Sequence, residues 1–346
     1  MSQRRILVDV THPAHVHFFR HLIHQLEAAG HRVLVTGRDK DVLVDLAHRY
    51  GLEIEVFGKA RPGALALGAE LLYRQSRLGR LVAKFRPSAM MAVAGTFVSA
   101  VGRVTGTPTY VFYDTEHARL SNLLAYPFAT CVYVPEAYAS RIRWRHERYA
   151  GYHELAYLHP RRFTPDPSVR ALAGLGPEEP FSLVRFVGWQ AAHDLGHKGL
   201  GDSAKRRAIE ALSEHSTVLI SSEGELPAEL ESMRLDLPVE RLHDLMASAV
   251  LVFGESGTMP SEAAVLGTPG VYINPLRLGY LEEQERDYGL VFNYRPADID
   301  RAIQKGREIL ASGDRESFRS AARRLTSDKI DVTDMLFRIA TELPYR

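Results

Sequence analysis

The chain has 346 residues, enough at roughly 150 residues per domain for two buried cores, and 45% hydrophobic with 25% charged residues excludes a disordered or low-complexity chain. Lys+Arg at 43 against Asp+Glu at 42 gives a formal net charge of +1, so no overall field draws the chain to nucleic acid or an anionic membrane, and any basic site must be local. The single cysteine, Cys131, excludes an intrachain disulfide and a multi-cysteine metal site, and residues 6–10 are too short an apolar run for a signal peptide or spanning helix, so a cytoplasmic location is expected.

Short β-rich runs alternate with helical patterns from the start. Arg5–Val10 reads as a strand, residues 16–29 repeat with helical period, Gly30 stops them, and residues 32–36 form the next strand. Further strands are expected at 53–57, 89–93, 109–113 and 130–134. Such alternation marks parallel βαβ units, and hence a doubly wound domain over residues 1–157. Chain breakers then cluster at His159-Pro160, at Pro165-Asp166-Pro167 and over 174–180, which reads as a linker. Strands resume at 181–187, 217–221, 249–253 and 270–273, giving a second domain over 158–330, and the helical tail 331–346 is expected to pack back on the first. In open α/β sheets ligands bind beyond the carboxyl ends of the strands. The loops to watch are therefore 11–17, 95–96, 114–122, 188–198, 221–225 and 254–262.

The sharpest signal is Phe253-Gly-Glu-Ser256-Gly257-Thr258-Met-Pro260-Ser-Glu262. A buried strand runs into a small turn and a helix starting near Met259-Pro260, with proline at the position that tolerates it. Unpaired N–H groups and the positive end of the helix dipole make such a start an anion site. Glu262 follows about one and a half turns on, near enough for its carboxylate to hold a ribose beside a bound diphosphate. Ordinary capping, with Glu262 solvated or acting as a cap partner, is the plainer alternative.

The spacing Ser256-Gly257-x4-Glu262, followed by Leu266-Gly267-x-Pro269, resembles the nucleotide-sugar signature of GT-B-fold enzymes, especially the non-hydrolysing UDP-GlcNAc 2-epimerases. Pro108-x4-Tyr113-Asp114 with Leu120-Ser121-Asn122 is similar to the acceptor-side loop of the lipid-linked GlcNAc transferase of peptidoglycan synthesis. Val10-Thr-His12-Pro-Ala-His15, Tyr113-Asp-Thr-Glu116 and 254–259 resemble the family DUF354, over nearly the whole chain. The resemblance implies a GT-B fold: α/β, two Rossmann-like doubly wound domains facing across a cleft. It also implies a nucleotide sugar, UDP-linked, as substrate.

Asp114, Glu116 and His117 follow directly on an expected strand end, where clustered carboxylates and an imidazole can have split pKa values. The 2-epimerases place a catalytic carboxylate at this strand end, and Asp114 is the nearest match; acids at a helix start are the plainer reading. Arg185 and the loop carrying His193, with Lys198 near, occupy the position of a phosphate-contacting loop in these enzymes. His12 and His15 stand in the loop after the first strand, where GT-B transferases often carry a catalytic or glycine-rich loop. His17, His21 and His24 share a helix face at a metal-compatible spacing, but no acidic partner accompanies them. Asp39-Lys40-Asp41 has the form of a metal-binding DxD but opens an expected helix, where acids suit the dipole. Between Lys59 and Arg86 seven cations oppose Glu70 alone on an amphipathic pattern, which is either a solvated helix face or a surface for anionic lipid or a phosphorylated acceptor. A P-loop, a GxGxxG fingerprint and a GxSxG elbow are absent from the sequence.

Together these features point to a glycosyltransferase of glycan or glycolipid synthesis, with no metal and no cofactor beyond its nucleotide-sugar substrate. His12, Arg185, Ser256, Gly257, Thr258 and Glu262 would bind that sugar nucleotide, and Asp114, Glu116, His15 and His193 would handle protons. A glycan or lipid-linked sugar is the expected acceptor; nucleic acid is not expected, and a homodimer is compatible with the sequence. Epimerisation at C2 is the second reading, weakened because Thr96 replaces the acid that the 2-epimerases carry after the glycine matching Gly95, and Asp194 replaces their arginine after the histidine. A protein that binds a nucleotide sugar without turnover is the third.

Overall fold

Six residues, RILVDV, form β1 (Arg5–Val10), buried from Ile6 to Val10, and the strands Ala89–Val93 and Thr109–Phe112 of the same sheet are buried at every residue rather than at alternate ones. In the computed structural model, residues 3–40, 42–59, 64–186, 200–222 and 226–342 are described. The chain divides into two units, one running to Tyr157 and taking in the segment from Ile330, the other spanning Leu158–Lys329.

In the first unit β2 (Arg32–Asp39), β3 (Ile54–Lys59), β4 (Ala89–Val93), β5 (Thr109–Phe112), β6 (Cys131–Pro135) and β7 (His146–Tyr149) join β1. The sheet has the order β3-β2-β1-β4-β5-β6-β7, with every pair parallel. The helices are α1 (Pro13–Ala28), α2 (Leu43–Arg49), α3 (Ala64–Phe85), α4 (Val98–Thr105) and α5 (Arg119–Ala125). α1 buries Val16, Phe19, Leu22, Ile23 and Leu26 at helical spacing and gives way at Gly30, whose φ of 80° suits glycine. The chain's last helix, Val332–Thr341, belongs to this unit: Ile330 N donates to Ala150 O at 2.8 Å and Thr333 Oγ1 to Ala156 O at 2.7 Å.

The second unit holds β8 (Phe181–Phe186), β9 (Thr217–Ser222), β10 (Leu251–Gly254), β11 (Gly270–Ile273) and β12 (Val291–Tyr294), all parallel in the order β12-β11-β10-β8-β9. Its helices are α6 (Val169–Leu172), α7 (Asp202–Ser213), α8 (Leu242–Ser248), α9 (Thr258–Leu266), α10 (Gly279–Glu283), α11 (Ile299–Ser312) and α12 (Arg315–Asp328). Beyond β9 a single parallel bridge, Ile220 with Arg234, with Leu235 N donating to Ile220 O at 2.8 Å, stands where a doubly wound sheet would carry one more strand. The strand order reverses between β1 and β4 in the first unit and between β8 and β10 in the second, and those are the positions where such sheets bind ligands.

Two strands, β7 and β12, go unanticipated by the sequence reading, and both are sheet edges of four residues. β7 is His-Glu-Arg-Tyr, with only Tyr149 buried, so it carries no apolar run to announce it. The basic stretch also needs correction. α3 does not present all its cations to one surface: Arg74 is fully buried, its Nη2 donating to Asp9 Oδ1 at 3.0 Å and its Nη1 to Phe57 O at 2.7 Å. Its guanidinium lies over the Phe97 ring at 4.3 Å, and Thr36 Oγ1 donates to the same Asp9 oxygen at 2.8 Å. Glu70 is buried too and pairs with Arg38 at 3.4 Å, while Arg80, Lys84 and Arg86 remain exposed.

Candidate functional site

In the first unit the loop from Thr11 to His15 leaves β1 and starts α1, and His12 caps that helix, its Nδ1 accepting from Ala14 N at 3.2 Å. His15 Nδ1 accepts from Thr11 N at 3.2 Å. A backbone N–H can only donate, so Nδ1 of His15 bears the lone pair and Nε2 bears the hydrogen. Burial, reinforced by the neighbouring imidazoles of His12 and His153 and by the cations Lys40 and Arg38, holds the His15 pKa well below the ordinary imidazole value. His15 is therefore a neutral imidazole with an N–H to offer.

Across the β1–β4 reversal the chain leaves β4 through Ala94 and Gly95, with φ of 62° and 69°. Alanine in that region is strained by roughly 1–2 kcal/mol. Gly95 is required by space as well, since a Cβ there would lie 2.4 Å from Val111 Cγ2.

Asp114 stands two residues beyond β5. Thr115 Oγ1 donates to its Oδ1 at 2.9 Å, and its Oδ2 lies 3.2 Å from Nδ1 of His153, in the 3₁₀ turn His153–Ala156. His153 packs against Phe18 of α1 with ring centroids 4.4 Å apart, and its burial lowers its pKa more than Asp114 raises it. Burial, and then the charges of Asp114 and Glu154, drive the pKa of the Tyr149 hydroxyl well above the ordinary phenol value. Glu116 is turned elsewhere: its Oε1 accepts from Ala139 N at 3.0 Å, which ties the loop after β5 to the one after β6.

In the second unit β10 ends at Gly254, and Glu255-Ser256-Gly257 turns into α9, which starts at Thr258, one residue before the expected point. Gly254 has φ of 152°, and a Cβ there would come within 2.1 Å of Arg185 O. Only glycine lets β10 pass β8 at this distance. The buried Glu255 locks the turn from behind, its Oε1 accepting from Leu200 N at 2.6 Å and its backbone O from Asn274 Nδ2 at 2.8 Å. Ser256 Oγ faces Met259 N at 3.5 Å, and Gly257 lies close under Leu278 and Tyr280. The first turn of α9 thus presents backbone N–H groups among small side chains. Glu262, 5% exposed, lies on the next turn and its Oε1 is 2.9 Å from His243 Nε2 of α8.

The sequence-predicted residues fall into two groups. His12, His15 and Asp114 lie at carboxyl ends of strands in the first unit, and Ser256, Gly257, Thr258 and Glu262 lie together in the second. Arg185, at the end of β8, sends Nη1 to Ser221 Oγ at 2.7 Å. His193, Asp194 and Lys198 lie outside the described residues, as does Asp41. The His17–His21–His24 face gathers no shared ligand set: His17 stacks on Tyr157 with centroids 5.2 Å apart, and His24 Nε2 lies 3.0 Å from Tyr50 O. Among the described residues no cluster of three or more His, Cys, Asp or Glu is arranged to hold a metal. No described helix is long and apolar enough to cross a membrane. Sequence reasoning missed His153 and His243. Neither sits in a motif, and only the buried Tyr152-His153-Glu154-Leu155-Ala156-Tyr157 run, a polar pair inside an apolar segment, marks the first.

This geometry is that of the GT-B fold. The chain aligns over 98% of its length, and over 99% of the other chain, with the glycotransferase of kitacinnamycin at a TM-score of 0.68 and 12% identity. It aligns over 98%, and 96% of the other chain, with a Listeria monocytogenes protein assigned as a UDP-N-acetylglucosamine 2-epimerase, at a TM-score of 0.70 and 11% identity. Residues 4–154 match DUF354, a family described as proteins of unknown function. An uncharacterized protein of Methanocaldococcus jannaschii is 24% identical over 300 residues, which are 81% of this chain and 86% of that protein.

Proposed function

We propose that this protein transfers a sugar from a nucleoside diphosphate to a hydroxyl acceptor, a glycan or lipid-linked sugar, without a metal. The observation that carries this reading is the turn 254–258 opening α9, with Glu262 buried on the following turn. A departing diphosphate develops negative charge, and the positive end of the α9 dipole with the N–H groups of its start stabilises it where a metal would otherwise serve. Ser256 and Thr258 add hydroxyl donors, and Glu262, oriented by His243, takes the ribose hydroxyls. The first unit supplies proton handling through His15, Asp114 and the residues around them. The chemistry is a displacement in which the acceptor oxygen attacks the anomeric carbon as the diphosphate leaves with the bonding pair. A UDP-linked donor follows from the signature resemblance, and the basic residues of α3 that remain exposed suit a phosphorylated or membrane-borne acceptor.

Binding of UDP and of inorganic pyrophosphate to wild type and to Glu262→Ala tests the assignment. Loss of a charge-assisted hydrogen bond, worth roughly 1.5–3 kcal/mol, weakens UDP by about 10-fold or more while pyrophosphate stays within about 2-fold. Equal weakening of both ligands makes Glu262 structural and removes the ribose assignment.

A further inference from the structure

Glu262 is buried on α9, and a buried carboxylate is aimed by its protein neighbours rather than by water. His243, 3% exposed on the first turn of α8, places its Nε2 2.9 Å from Glu262 Oε1. A carboxylate can only accept, so that nitrogen carries the hydrogen. The chain neighbours of His243 hold a different segment. Asp244 Oδ1 accepts from Asp166 N at 2.9 Å and Asp244 Oδ2 from Arg241 Nε at 2.7 Å, while Arg241 Nη2 donates to Asp166 Oδ2 at 2.8 Å. An acid in the first turn of a helix ordinarily pairs with that helix's own N–H groups. Both of these bonds of Asp244 go elsewhere, and they tie α8 to residues 163–166. Phe163 completes the contact, its ring meeting that of His243 edge-on with centroids 6.3 Å apart. The segment is stiff by sequence: in Thr164-Pro165-Asp166-Pro167 each proline fixes its own φ and restricts the residue before it. Asp166 Oδ1 also accepts from Ser168 N at 2.9 Å, which closes a turn. A preorganised stretch of chain thus grips α8 at the residues flanking the ring that meets Glu262.

We propose that His243 is a positioning residue that sets specificity: by fixing the Glu262 carboxylate it makes the second unit prefer ribonucleoside diphosphates over their 2′-deoxy counterparts, and residues 163–166 hold it in place. The inference rests on the ribose assignment above. A ribose offers adjacent hydroxyls at C2′ and C3′, and a carboxylate has lone pairs on both oxygens to accept from them. A carboxylate free to turn would re-aim at the one hydroxyl that a deoxyribose keeps, and little would separate the two ligands. Held by His243, it stays where the pair of hydroxyls needs it. A ligand without the 2′-hydroxyl then leaves a buried charged acceptor short of a donor, which is the costly case. The phosphates meet the turn 254–258 instead, so a ligand with no ribose does not register His243.

Titration calorimetry of the whole chain with UDP, 2′-deoxy-UDP and inorganic pyrophosphate gives three affinities for each variant. Wild type is expected to bind UDP about 10-fold or more tighter than 2′-deoxy-UDP. In His243→Ala, UDP weakens by about 10-fold while 2′-deoxy-UDP and pyrophosphate stay within about 2-fold, so the preference collapses. His243→Gln, whose amide N–H reaches the place of the ring Nε2, keeps the preference, and His243→Asn, one carbon shorter, loses it. That pair carries the comparison where the alanine variant does not fold. Glu262→Ala combined with His243→Ala binds UDP within about 2-fold of Glu262→Ala alone, since His243 acts through that carboxylate. Asp244→Ala, which releases Asp166 and Arg241, lowers the preference by about 3-fold. The proposal is overturned by a wild type that shows no preference, by a wild-type preference in His243→Asn, by pyrophosphate weakening in step with UDP in His243→Ala, or by additive losses in the double variant. A wild-type preference in Asp244→Ala overturns the role given to residues 163–166. Failure of the ribose assignment shows itself differently, as Glu262→Ala weakening UDP and pyrophosphate equally with His243 in place.

Discussion

Arg74→Met isolates the consequence of placing a cation of the basic stretch in the core. The substitution keeps the aliphatic bulk of a side chain that is fully buried but removes the donors to Asp9 Oδ1 at 3.0 Å and Phe57 O at 2.7 Å. Asp9, 2% exposed, is left with Thr36 Oγ1 as its side-chain donor. Breaking a buried pair from one side costs roughly 3–5 kcal/mol, because the other charge stays buried. For a unit of this size that is a fall in melting temperature of about 10–15 °C. Arg80→Met, on the exposed face of the same helix, changes stability by less than about 0.5 kcal/mol. The loss also has a pH signature. Burial holds the Asp9 carboxyl above the ordinary carboxylate value, and Arg74 is the largest influence pulling it down, so the variant raises it further. A carboxyl whose folded pKa lies above its unfolded one contributes stability below the unfolded value and loses it as pH rises through the folded value. The deficit of Arg74→Met is therefore small near pH 4 and grows toward pH 7. Calorimetry of both variants across that range reads it directly. A Tm within about 3 °C of wild type at pH 7, or a deficit that does not shrink on acidification, refutes the buried-pair argument.

Gly254→Ala, which would put a Cβ 2.1 Å from Arg185 O at a φ of 152°, destabilises the second unit and weakens pyrophosphate, whereas alanine at Gly313, with no neighbour within 4 Å, leaves pyrophosphate binding unchanged; calorimetry and titration check both. His15, held well below the ordinary imidazole pKa, stays neutral with its hydrogen on Nε2 at pH 6, which an NMR titration reports; an inflection near 6.5 contradicts its burial among positive neighbours. Ala94→Gly relieves left-handed strain and leaves the protein as stable as wild type or more so, and a loss above about 1 kcal/mol in denaturant unfolding counts against that strain.

The doubly wound fold was readable because strands covered on both faces are continuous apolar runs, and Arg5–Val10, Ala89–Val93 and Gly270–Ile273 were located to the residue. What escaped was whatever carries little apolar signal: the edge strands β7 and β12, and the bridge at Arg234 in place of a further strand. The candidate site divides in the same way. The turn 254–258 and Glu262 lie within ten residues and form a pattern, so they are legible in sequence. Asp114 and His153 are 39 positions apart, brought together only when the chain returns from β7 through the 3₁₀ turn beside α1. Likewise nothing in the text of α3 distinguishes Arg74 from Arg77 or Arg80, because its burial depends on Asp9 from another strand.

Turnover of a nucleotide sugar in deuterium oxide tests the central claim most directly. UDP-, GDP-, CMP- and dTDP-sugars are first ranked by thermal shift, where a ligand at 100 times its dissociation constant stabilises by about 2.7 kcal/mol, and the best is incubated with the protein in deuterium oxide with and without a glycan acceptor. A transferase leaves the C–H bond at C2 of the sugar intact, and Thr96 offers no carboxyl to relay that proton. The account predicts no deuterium at C2 of the recovered nucleotide sugar and nucleoside diphosphate release that acceptor accelerates. Deuterium at C2 without acceptor, lost in Asp114→Asn, contradicts transfer and establishes epimerisation.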